Sequence, residues 1–428
     1  MKYLIILFLI LSANICEAQT PNKILLINGF LHKGNGETIK GALIGIKNGK
    51  IELIKNVLAY TYEPSDWDTI IDLQNQHIYP GFIAPNSTLG ITEIDAVRAT
   101  RDYREVGIFN PHVRSQIAFN VESKVISTVR TNGVLISQAT PRGGIISGSS
   151  SVMKLDGWNW EDATVSANDG IHLNWPESLM NHHWSSEPIK ASENYAKKKT
   201  EIYSFFEISK AYANEAKNDN IDNRMEAMKA IFNGEKRVYI HANELQQLMD
   251  VIDFSKYFNL NFPVIVGGYD AHLMTRQLVD AKIPVMLVRP HSLPEKEADD
   301  VNHCYKLPFL LQSGGVKFCI QNHGDMEAMN ARNIPFLAGT AKSYGLTEEE
   351  AITAISLSSA EIMGIGTNYG SIEKGKSATL FISKGNALDM RTNNVTLGLI
   401  DGHFMTIENT QEKLYKKYSE KYKQEKME

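Results

Sequence analysis

The stretch from His77 to Ile94 constrains this chain more than any other, reading His-Ile-Tyr-Pro-Gly-Phe-Ile-Ala-Pro-Asn-Ser-Thr-Leu-Gly-Ile-Thr-Glu-Ile. A tight Pro80-Gly81 turn feeds the apolar pair Phe82-Ile83, which gives way to the small polar cluster Ala84 to Thr88. An apolar run that opens into small polar residues is the pattern of a buried strand ending at a site.

On either side of this stretch the patterning changes. From Lys23 to Ile54, short β-rich runs are split by Gly34-Asn35-Gly36 and by Asn48-Gly49. These are hairpin signals, and they predict a small antiparallel sheet. Beyond it, apolar runs at Gly133–Ser137, Ser151–Leu155, Arg237–His241, Val264–Gly268, Val285–Val288 and Val316–Ile320 alternate with helix-like spacing, for example Leu245–Phe254 and Met274–Ala281. That alternation predicts parallel βα units. Ile189 to Asn233, rich in Lys, Glu and Ala, reads as a longer helical insertion, and Thr347 as an N-cap followed by three glutamates that complement the helix dipole.

The order of Tyr79-Pro80-Gly81-Phe82-Ile83, the helix opening at Thr347 and the segment Gly370 to Ile382 resembles the amidohydrolase superfamily, most closely its imidazolonepropionase-like members. The resemblance implies an α/β fold, a (β/α)₈ TIM barrel with a small discontinuous β-sandwich built from both chain ends. It divides the chain into a signal peptide at 1–18, a composite sandwich at 19–82 and 367–410, a barrel at 83–366, and a charged tail at 411–428. The family activity it implies is hydrolysis of carbon–nitrogen bonds other than peptide bonds.

Such an enzyme gathers metal ligands at the C-terminal ends of its strands, because divalent ions must turn water into hydroxide and polarise a carbonyl. In the family these are two histidines on strand one, often a bridging Lys or Glu on strand four, a His on each of strands five and six, and an Asp on strand eight. Here Asn86 and Thr88 stand in the strand-one places, Gly267-Gly268 in the strand-six place and Asn322 near the strand-eight place. His241 is the only matching ligand position, so no metal site of the usual pattern is expected. No cofactor is expected either; a single weak divalent metal stays open.

What survives is expected at the barrel mouth: His241 and His323 as residual acid–base groups, with Asn86, Thr88, Arg142, Asn322 and Asp325 around a ligand. Arg142 lies in the Gly/Ser-rich segment Thr140 to Ser151, read as a loop offering backbone amides to an anion or carbonyl oxygen. Trp158, Trp160 and Trp175 would wall a pocket or simply pack the insertion. Lys154 reads as ion-paired or snorkelling rather than metal-bridging, and Asp270 as a helix N-cap with His272 on the surface. Ser149 to Ser151 have no nucleophile elbow and no triad partners.

A formal charge of -5 gives no basic field for nucleic acid. Met1-Lys2, the apolar run Tyr3–Ile10 and Cys16-Glu17-Ala18 before Gln19 have the three parts of a secretory signal, so the mature chain is expected in the periplasm or secreted. A lipidated Cys16 is the weaker reading, because Ile15 precedes it. No later stretch is long and apolar enough to span a bilayer. Cys304 and Cys319 read as reduced rather than bridged. The expected partners are a small-molecule ligand and a homo-oligomer or paralogous amidohydrolase; the rival reading is a non-catalytic ligand-binding or partner subunit.

Overall fold

Five strands open the chain: β1 (Lys23–His32), β2 (Thr38–Lys47), β3 (Lys50–Asn56), β4 (Thr69–Asp72) and β5 (His77–Pro80). A computed structural model of the protein describes residues 22–180, 189–215 and 221–422. The Met1–Ala18 signal reading and the end of the charged tail lie outside the described residues. Asn48 and Gly49 join β2 to β3 with φ of 48° and 76°, both positive as the expected type I′ turn demands. The sheet is mixed rather than antiparallel, because β1 pairs antiparallel with β2 but parallel with β4 and β5. Residues 57–68 carry the chain back across the sheet, which reverses the direction expected from hairpins alone.

Phe82 passes straight from the turn into a second eight-stranded sheet. Its strands are β6 (Phe82–Ser87), β7 (Val134–Ala139), β8 (Ile146–Lys154) and β9 (Thr164–Asn174). After the short pair β10 (Leu179–Met180) and β11 (Lys190–Ala191), it continues through β12 (Arg237–Ala242), β13 (Pro263–Gly267), β14 (Val285–Leu287) and β15 (Phe318–Ile320). They lie in the order β6-β7-β8-β9-β12-β13-β14-β15. The chain then returns as β16 (Leu380–Ser383), β17 (Val395–Ile400) and β18 (His403–Phe404), and β16 pairs with β5 to complete the first sheet.

The barrel is not uniformly parallel. β8 runs antiparallel to both β7 and β9, while the remaining pairs are parallel. The cause is a hairpin at Gly143-Gly144, whose φ of 89° and 67° suit a reversal that other residues resist. The Gly/Ser segment is therefore only partly a loop: Ser147, Ser149, Ser150 and Ser151 are buried strand residues. The reversal matters for function, because the β7–β8 hairpin now lies at the rim with the C-terminal ends of the parallel strands and carries Arg142 there.

The barrel interior is filled from successive strands by Ile83, Ile136, Val152, Tyr239, Val264, Met286 and Cys319, with Ala360 and Ile362 of the helix Leu357–Ile362 and its C-cap Met363 closing it. Burying such a side chain contributes roughly 1.5–3 kcal/mol. No backbone ladder joins β6 to β15 among the described residues, and that helix packs against both strands.

Lys154, at the far end of β8, pairs with Asp401 at 3.1 Å and ties the barrel to the first sheet. Trp158 and Trp160 sit on the β8–β9 connection, away from the mouth, with Trp158 93% exposed. The insertion is two helices, Tyr195–Asn214 and Asn223–Phe232, and Thr347 forms a capping box with Glu350 on the helix Glu348–Ala354. Cys304 and Cys319 are both free and buried.

Candidate functional site

The mouth rests on a buried polar layer just above the apolar barrel core. Asp169 on β9 accepts from Gln138 Nε2 at 2.9 Å, Ser150 Oγ at 2.7 Å and Tyr239 Oη at 2.6 Å. Burial pushes its pKa up, and the three donors work against that shift. Gln138 also accepts the Asn86 backbone N–H at 3.0 Å, which fixes the end of β6 where the chain takes a φ of 48° at Asn86.

Next come two histidines. β9 presents His172 and β12 presents His241, with His172 Nδ1 and His241 Nε2 2.9 Å apart. His172 stacks on Tyr239, ring centroids 4.7 Å apart. Burial holds both imidazoles well below the ordinary histidine pKa, helped at His172 by His241 and Arg142 and at His241 by Arg142 and His323, so both are neutral near pH 7. One must donate to the other. His172 Nε2 is buried without a partner, and an orphaned donor is the costlier and rarer state. His172 therefore donates from Nδ1, and His241 carries its own proton on Nδ1.

Arg142 is anchored across the β6 end. Its Nη1 donates to Asn86 Oδ1 and its Nη2 to the Asn86 carbonyl, both at 2.8 Å, while Nη2 and Nε reach Glu327 Oε1 at 3.0 and 3.2 Å. Glu327 Oε2 meets His323 Nδ1 at 2.5 Å. Burial would raise the Glu327 pKa, but Arg142 and His323 more than reverse this and hold it at about 2. Asn86 Nδ2 donates to Gln321 Oε1 at 2.5 Å, so a side-chain bond spans the β6–β15 seam that no ladder closes.

Above this layer lies a cleft of about 700 Å³, lined among others by Trp175, His241, Asn243, Arg289, Gln321, His323 and Asp325. His241 and His323 thus share one cavity. A neighbouring cleft of about 800 Å³ takes in Thr88, Arg142, His323, Asp325 and Glu327. Asn86 and Asn322 are buried with their amides engaged, Asn322 Nδ2 donating to the Glu327 carbonyl at 2.9 Å. Asp270 does not cap its own turn: Oδ2 accepts from the Leu245 N–H of the preceding helix at 3.0 Å, and Oδ1 meets Lys296.

Four residues of the mouth escape a reading built on ligand positions: His172, Arg289, Gln321 and Glu327. Glu327 stands four residues after His323, and Arg289 directly follows an apolar run. Polar residues just past strand ends are the signal that could have found them.

A barrel with a polar network gathered at the C-terminal ends of its parallel strands belongs to the class of (β/α)₈ enzymes and their relatives. The amidohydrolase family model matches residues 198–405, just under half of the chain. An amidohydrolase from Thermotoga maritima MSB8 superposes with a TM-score of 0.76 at 22% identity, covering 90% of this chain and 100% of that one. A Xaa-Pro dipeptidase with methionine in its active site gives 0.53 at 14% identity, covering 90% and 99%. A zinc-bound adenosine deaminase from Xanthomonas campestris gives 0.53 at 11% identity, covering 94% and 98%. These likenesses show the fold. A search of curated proteins finds no match.

Proposed function

We propose that this chain is an amidohydrolase-superfamily protein that binds a small polar molecule at the barrel mouth, with the Arg142–Glu327–Asn86 network standing where relatives hold catalytic metal. One observation carries the reading: the Arg142 guanidinium is bonded to both the side chain and the backbone of Asn86. A fixed cation there opposes a divalent ion. The donor set is equally unsuited. Tetrahedral zinc with bonds of about 2.0–2.1 Å separates two ligand nitrogens by roughly 3.3 Å, whereas His172 and His241 stand at a hydrogen-bonded 2.9 Å. Asn86 and Thr88 offer only neutral oxygens, which are poor zinc ligands. No group of three or more His, Cys, Asp or Glu converges as a metal site among the described residues.

Hydrolysis by metal-activated water is therefore not part of this proposal. With zinc or manganese added, turnover of N-acyl amino acids and Xaa-Pro dipeptides is expected to stay at background. A metal-dependent rate that disappears in His172→Asn/His241→Asn would overturn the reading.

The His323–Glu327 contact favours a second reading, metal-independent acid–base chemistry. An imidazole oriented by a buried carboxylate at a cleft is placed as a general base is. Metal-free turnover that is lost in His323→Gln would put this reading first.

Export from a signal at Met1–Ala18 belongs to the same proposal. N-terminal sequencing of native protein is expected to begin at Gln19, and Met1 retained would remove this part.

A further inference from the structure

Arg289 stands apart from the other cations of the mouth. It follows β14 by two residues and lines the same cleft as His241 and His323. Its Nε is buried without a hydrogen-bond partner, and among the described residues no carboxylate forms an ion pair with it. A Cβ on Gly324 would lie 3.3 Å from Cζ, Nη1 and Nη2 alike, so the guanidinium lies flat against the Gly324 backbone. The charge is thereby held in place rather than free to swing into solvent. Its field also depresses the His291 pKa, behind the larger effect of burial.

The guanidinium is half-buried, and its buried Nε forgoes a hydrogen bond unless something pairs with it, at the cost of an unsatisfied donor. We infer that Arg289 is the anchor for the carboxylate of the ligand proposed above, so the inference rests on that reading of the mouth. The planar fork of arginine matches a carboxylate bidentately. A phosphate dianion fits less well, because Glu177, Glu295 and Asp325 line the same cleft and one cation would face two negative charges beside them.

The rest of the ligand follows from register. His241 is level with Val266 on β13, and Val266 with Met286 on β14. Arg289 lies three residues beyond Met286, roughly 10 Å up the mouth for extended chain. The inner end of the cleft offers the His241 Nδ1–H as a donor and Asn243 Oδ1 as a buried, unpartnered acceptor. Between these ends Trp175, Tyr269 and Leu293 provide apolar wall. A carboxylate at one end, an amide at the other and an apolar side chain between them describe a molecule the size of an N-acyl amino acid.

The test is saturation-transfer NMR on the full protein with N-acetyl-L-phenylalanine, its C-terminal amide, and phenyl phosphate. The acid is expected to bind at least about tenfold tighter than the amide. Arg289→Gln should erase that preference while amide binding remains, and Arg289→Lys should keep part of it; unchanged melting temperatures establish that both variants fold. Equal affinity for acid and amide in the unmodified protein, or a preference that survives Arg289→Gln, overturns the carboxylate anchor and leaves the ligand-binding mouth standing. Phenyl phosphate binding tighter than the acid overturns the carboxylate assignment. Binding of none of the three overturns the ligand-binding reading itself.

Discussion

Glu327→Gln lowers the free energy of unfolding by about 3–5 kcal/mol, the usual cost of breaking a buried ion pair by removing one partner. The side chains of Arg142 and Glu327 are only 15% and 9% exposed, so the charge left on Arg142 is poorly solvated. Its two contacts to Oε1 then reach at best a neutral amide oxygen, so the guanidinium keeps only neutral acceptors there and on Asn86. Denaturant midpoints measure the loss. Arg142→Met combined with Glu327→Gln should recover much of it, because the double variant buries no unpaired charge. A single-variant loss below about 1 kcal/mol would place the pair among ordinary surface bridges.

Acid should unfold the protein in two stages. His172 and His241 have folded pKa values well below 6.5, lowered first by burial. The unfolded chain therefore takes up protons that the native pair refuses, and stability falls as pH drops below about 6.5. Each histidine steepens the fall by up to about 1.4 kcal/mol per pH unit. Glu327 acts in a lower window. Its folded pKa of about 2 lies below the ordinary glutamate value of 4.5, so its contribution is complete above pH 4.5 and is lost as pH falls toward 2. That difference is worth about 3 kcal/mol. Melting temperatures across this range read both stages. His172→Asn/His241→Asn should flatten the upper one and Glu327→Gln the lower. A profile level from pH 7 to pH 5 in the unmodified protein would contradict the neutral histidine pair.

Much of the architecture was legible because local signals and burial agree. The Asn48-Gly49 turn, the Thr347 cap and the Pro80-Gly81 entry to β6 each carry a conformational demand that few residues meet. The reversed β8 strand was misread although its hairpin glycines stand in the sequence; a run of buried serines looked like loop composition. In the strand their hydroxyls all find partners: Ser149 and Ser150 donate to the Pro111 carbonyl and to Asp169, and Ser147 and Ser151 accept from Asn174 and from the Asn168 backbone. Lys154 was legible as an ion-paired lysine, but its partner Asp401 lies 247 positions away, a pairing that no local pattern encodes.

At the mouth, Asn86, Thr88, His241 and Asn322 could be named one by one from the sequence, but the network that joins them could not. Asn86 bonds Gln321 across 235 positions and Arg142 reaches Glu327 across 185. Only closing the barrel brings these groups together. Once it closes, a neutral amide at the strand-one position is the acceptor that an arginine from a neighbouring hairpin requires.

The account stands most directly on zinc retention. After incubation with excess Zn²⁺ and dialysis, the protein is expected to hold far less than one equivalent, with no change in His172→Asn/His241→Asn. Two equivalents surviving dialysis and lost in that double variant would show that the histidines ligate metal, and would contradict the claim that the Arg142 network has taken the place of the metal centre.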